Sequence, residues 1–176
     1  KLDTEIIRLQ CYEGLDVNAA VYEWNYQKKL LGIKLQEGSN LSIEEKEKHI
    51  FGPDYLLERP LLHSIRAEDQ SPVLLIDELD RSDEEFEAFL LELLSAFQIS
   101  IPELGTIKSK HKPFVILTSN RTRELSDALK RRCLYHWIEY PTLEKEMAIV
   151  KKHLPGIEEK LLQQLVSVVQ QFRERK

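Results

Sequence analysis

Four consecutive apolar residues, Val73-Leu74-Leu75-Ile76, run directly into two carboxylates, Asp77-Glu78, and this stretch constrains the fold more than any other. Nothing in it alternates, so it reads as a strand buried on both faces, the pattern of a parallel sheet covered by helices. Ligands of such sheets bind outside the carboxyl ends of the strands, so Asp77 and Glu78 read either as a polar turn after the strand or as residues placed where chemistry is done. Adjacent anions repel unless a cation or a task separates them. At a nucleotide-hydrolysing site both are available: one acid holds a magnesium shell and the other polarises the attacking water.

Length and composition narrow the class. The 176 residues suffice for one domain, or for one domain and the beginning of a second. A hydrophobic share of 42% with 31% charged residues is that of a soluble globular chain. No apolar run approaches a membrane span and no signal-peptide pattern is present, so a cytoplasmic setting is expected. Cys11 and Cys133 lie far apart in no metal spacing, which argues against a disulfide framework or a zinc site. A net charge of -5 does not suggest a nucleic-acid surface.

The remaining elements alternate between strand and helix. Glu5 to Gln10 reads as a short strand, and Asp16 to Leu35 as an imperfect, aromatic-rich helical pattern. Gly38-Ser39-Asn40 reads as a loop, followed by a capping box, Ser42-x-x-Glu45. Tyr55 to Glu68 has helical spacing, with Pro60 starting or kinking the main helix. Ser82, with Glu85 as its reciprocal partner, is expected to cap a helix whose apolar face is Phe86, Phe89, Leu90, Leu93, Leu94 and Phe97. Burial of those six side chains is worth roughly 9 to 18 kcal/mol gross, so this helix is core. Gln98 to Pro102 and Gly105 to Ile107 read as a hairpin, and Phe114 to Asn120 as a second buried strand with the polar end Thr118-Ser119-Asn120. A helix over Glu124 to Arg132, a strand over Leu134 to Ile138, a helix capped by Thr142 and an amphipathic helix over Ile157 to Phe172 complete the expectation.

Two polar strand ends about forty residues apart become specific as a pair. An amide at Asn120 can both donate to and accept from groups around a γ-phosphate, where a carboxylate would repel it. Arg131 and Arg132 end the short helix that follows, and they read either as a solvated face or, at this distance after the polar strand, as an arginine finger.

With these residues in hand, the chain resembles the AAA+ ATPases, and among them the MoxR type. "VLLIDELDRSDEEFEAFLLELL" is similar to the Walker B strand and the helix after it, "PFVILTSN" to sensor 1, and "SDALKRRC" to the finger helix. "FQISIPELGTI" resembles the hairpin that this group inserts before sensor 1, and "RLQCYEGLDVNAAVYEWNYQKKLL" resembles a strand and modified helix of CoxD-like proteins associated with metalloenzyme maturation. The likeness covers about residues 5 to 153. It implies an α/β P-loop core with a parallel sheet flanked by helices over 1–141, and the beginning of a helical lid over 142–176.

The resemblance also implies ATP and Mg²⁺ as cofactors, a head-to-tail ring, commonly a hexamer, and a protein client such as a metalloenzyme under maturation. Asp77 would hold the magnesium water shell, Glu78 would activate water, and Asn120 would position that water. Arg132 would be the finger, with Arg131 as its substitute. Asp80 and Arg81 read either as subunit contacts or as a solvated helix entry. One departure is large: none of the six glycines opens a G-x-x-x-x-G-K-[ST] phosphate loop. The expectation is therefore a partial chain of a larger enzyme, binding ATP poorly by itself and lacking a nameable sensor 2 arginine. A helicase-like motor and a non-hydrolysing assembly module are the rival readings.

Overall fold

The computed structural model describes residues 3–36 and 42–174, and they form two units, 1–134 and 135–176. The Gly38-Ser39-Asn40 loop lies outside the described residues.

The first unit is mixed α/β around a three-stranded parallel sheet. Its strands are β1 (Ile6–Gln10), β4 (Val73–Asp77) and β7 (Phe114–Leu117), in the order β1-β4-β7. The apolar run Val73 to Ile76 is thus the central strand, and Val73, Leu74 and Ile76 are buried. Register aligns Ile6 with Val73 and Phe114, and Gln10 with Asp77, so the polar ends of neighbouring strands meet on one edge. Ile7, Leu9, Leu74 and Ile76 point to a face packed by helices. The other face differs from the expectation of double burial: Ile6 is 68% exposed, Phe114 63% and Ile116 41%.

Between β1 and β4 the chain departs from one long helix. Asp16 caps α1 (Val17–Val21), β2 (Tyr22–Trp24) follows at once, and Asn25 caps α2 (Tyr26–Leu35). The three-residue strand β2 pairs antiparallel with β3 (Leu56–Glu58), so Leu56 and Leu57 belong to a strand and not to a helix. Pro60 then starts α4 (Pro60–Arg66), where its missing N–H has no partner to lose. The capping box forms: the Ser42 backbone N–H donates to Glu45 and the Glu45 N–H donates to Ser42 Oγ, opening α3 (Ile43–Ile50). Lys29 is buried with its ammonium 3.5 Å from the Trp24 ring centre and 4.0 Å from that of Phe51. Burial lowers its pKa.

After β4 the helix α5 (Glu84–Ala96) is capped by Asp83, which accepts from the Phe86 N–H at 2.8 Å. Ser82, the expected cap, instead donates to the Leu79 carbonyl and closes the turn before the helix. Phe86, Leu90 and Leu93 are buried, with Phe89 and Leu94 packed partly against them. Phe97 ends the helix in the left-handed conformation, φ 49°, and turns the chain straight into the hairpin β5 (Gln98–Ile101) and β6 (Gly105–Lys108). The helix expected over Glu124 to Arg132 is a single turn, α6 (Asp127–Lys130), capped by Ser126. No strand forms over Leu134 to Ile138, whose residues carry no regular structure.

In the second unit Thr142 caps α7 (Leu143–His153), and α8 (Glu159–Glu174) follows the Pro155-Gly156 break. Glu146 binds Arg173 and Gln170 across the two helices. No described helix is long and apolar enough to cross a membrane.

Candidate functional site

Parallel pairing brings the carboxyl ends of β4 and β7 side by side, and the Thr118 hydroxyl joins them. It donates to Asp77 Oδ1 and accepts the Glu78 N–H at 3.0 Å, using both faces of one oxygen. The Thr118 carbonyl accepts the Leu79 N–H at 2.9 Å. From the other neighbour, Arg8 closes on Asp77 Oδ2 with Nη2 and with Nε at 3.1 Å. The Thr118 bond first, and then Arg8, hold the Asp77 carboxyl below its ordinary pKa.

Glu78 leaves the strand in the left-handed conformation, φ 54° and ψ 47°, which is uncommon outside glycine. Its carboxylate accepts from the Asn120 side-chain amide at 3.4 Å and lies 3.3 Å from Arg81 Nη1. Two acids and an amide from strand ends some forty residues apart in sequence are therefore adjacent in space.

Asp80 is neither solvated nor exposed. It is 3% exposed and accepts the Asn120 N–H on Oδ1 at 3.1 Å, and the Thr122 N–H and hydroxyl on Oδ2 at 2.7 and 2.6 Å. Burial pushes its pKa up, but those bonds outweigh it and the net shift is downward. Farther along, Glu87, 2% exposed, pairs with Arg123 at 2.5 Å and accepts the Ser126 N–H at 3.0 Å, fixing the approach to α6.

Arg131 and Arg132 are exposed at the end of α6, and neither bonds to Asp77, Glu78 or Asn120. Arg132 donates to the Ala128 carbonyl of its own turn. Cys11 is buried next to the site, its N–H donating to the Asp77 carbonyl at 2.8 Å, and burial first, then the charges of Asp77, Asp80 and Glu78, push its thiol up to about 11.

Hard oxygen ligands suit a hydrated magnesium ion, and Asp77 is the acid that could hold its water shell, with Glu78 beside it. Both Asp77 oxygens are engaged here, Oδ1 by the Thr118 hydroxyl and Oδ2 by Arg8, whose side chain is 60% exposed. No described segment carries the glycine-rich cradle that would hold the phosphates. Arg8 and Thr118 were not singled out as site residues in sequence, because their partners are distant in the chain, and Asp80, read there as a subunit contact or a solvated helix entry, is instead buried and bonded within the chain. No family model matches the chain, and no curated protein matches it.

Proposed function

We propose that this chain carries the water-activating residues of a magnesium-dependent ATPase of the AAA+ class and MoxR type, with an α/β P-loop core followed by helices of a lid. The observation that carries the reading is the meeting of the Asn120 amide with the Glu78 carboxylate beside Asp77, at the carboxyl ends of adjacent parallel strands. Asp77 would hold the water shell of Mg²⁺, and the ion supplies neutralisation of charge on the ATP phosphates. Glu78 would take the proton of the hydrolytic water, and Asn120 would hold that water and register the γ-phosphate. The exposure of Arg131 and Arg132, away from their own acid pair, supports a finger acting on a neighbouring subunit in a ring such as a hexamer.

Parallel sheets are covered on both faces, and here Ile6, Phe114 and Ile116 leave one apolar face open. The far edge of β7 is unpaired among the described residues. Coupling to a cytoplasmic client protein, such as a metalloenzyme under maturation, is part of the same proposal.

The test is ATP turnover by the intact protein with Mg²⁺ and with a chelator. Magnesium-dependent turnover indifferent to added nucleic acid is expected. Absence of turnover would leave a non-hydrolysing assembly module, and stimulation by nucleic acid that falls steeply with salt would indicate a motor.

A further inference from the structure

We infer that Asp80 is the positioning residue of the site: its buried carboxylate clamps the segment after β7 to the turn after β4, and so aims the Asn120 amide at Glu78. This inference rests on the ATPase reading for its effect on rate, but not for the clamp itself.

The geometry is specific to a carboxylate. Three donors, the N–H of Asn120, the N–H of Thr122 and the Thr122 hydroxyl, converge on its two oxygens at 3.1, 2.7 and 2.6 Å. An asparagine of the same shape offers one acceptor oxygen, and its NH₂ would face either the Asn120 or the Thr122 donors, leaving a partly buried donor opposite another donor. The clamp also lies between two backbone outliers. Glu78 at φ 54° and Arg121 at φ 59° are non-glycine residues in the left-handed region, a conformation that persists only where the surroundings over-determine it. Asp80 is two residues after the first outlier and bonds the residues on both sides of the second. A clamp released at Asp80 frees both turns to relax, and the separation between Asn120 Nδ2 and Glu78 Oε1, 3.4 Å with the clamp closed, is no longer enforced.

The test uses the intact protein and two measurements. The first is amide hydrogen exchange at Asn120 and Thr122 in Asp80→Asn. Faster exchange is expected, about tenfold at whichever of the two amides loses its acceptor to the NH₂, as the loss of one hydrogen bond would give. Unchanged exchange would overturn the clamp whatever the protein's activity. The second is a kinetic cycle of Asp80→Asn, Asn120→Ala and the double variant. Loss of alignment should lower kcat roughly 10- to 100-fold with KM for ATP held within about twofold, and Asp80→Asn should cost nothing further in the Asn120→Ala background. Additive losses, or a change confined to KM, would overturn the positioning role. A wild-type protein with no turnover, or an Asn120→Ala variant of full activity, would refute the ATPase reading instead, and the exchange measurement would still decide the clamp. Should Asp80→Asn fail to fold, Thr122→Val removes only the hydroxyl donor. A smaller exchange increase at the same two amides is then expected, and no increase overturns the clamp.

Discussion

Asp77 and Asp80 owe their depressed pKa values to different partners, and this can be measured. For Asp77 the Thr118 hydroxyl is the larger influence and Arg8 the smaller. Thr118→Val should therefore raise the Asp77 pKa more than Arg8→Met does, as read by carbon NMR titration; the reverse order would mean that the ion pair dominates. Both acids titrate below their unfolded value of about 3.8. The unfolded chain thus binds protons first as pH falls. The stability they contribute is complete above the unfolded pKa and is lost as pH drops through the lower folded value. Urea unfolding between about pH 5 and pH 2 should show this loss, and Asp80→Asn should flatten it. An unaltered slope would show that Asp80 carries none of the linkage. At this scale Asp77, Glu78 and Asn120 were legible, since an apolar run that stops at a polar residue marks a strand end. Thr118, Asp80 and Arg8 were not, because each acts on a partner between 40 and 69 positions away and leaves no local trace.

Helix starts were readable where the capping side chain sits one residue ahead of an apolar period. Ser42 and Thr142 are such residues, and each accepts a backbone N–H three positions on; Ser126 caps α6 in the same way, whereas the expected helix began at Glu124. Asp83 displaced Ser82 as a cap because both sit before the same helix and only one can face the Phe86 N–H. The strands β2 and β3 were hidden because three residues are too few to show alternation, and their pairing joins opposite ends of the segment 22–58. Gly32 shows how tightly that segment is packed. A Cβ there would be built against the hydroxyl of Tyr55, a buried ring whose backbone carbonyl accepts the Asn25 N–H. Helix propensity favours alanine over glycine by about 1 kcal/mol, yet overpacking against a buried ring costs about 1 to 3 kcal/mol. Gly32→Ala should therefore lower Tm; a rise would mean that Tyr55 yields freely.

For the whole molecule, the order β1-β4-β7 is what brings the acid pair, flanked by Arg8 on one side and Thr118 on the other, to the edge where the strands end. The mixed α/β class was legible from alternating strand and helix signals, whereas the open apolar face was not, because a buried strand and a half-covered one share the same apolar run. The proposed ring adds a requirement that subunits share sites. Arg132→Ala subunits, inactive alone, should regain turnover when mixed with Glu78→Gln subunits, since each supplies what the other lacks; no recovery at any ratio would place the finger within one chain or nowhere. The central claim is that Glu78 activates water for ATP hydrolysis, and its most direct test is the turnover of the intact protein carrying Glu78→Gln, with ATP binding measured alongside. The account predicts that binding is retained while turnover falls roughly 10²- to 10⁴-fold; turnover equal to wild type would contradict it.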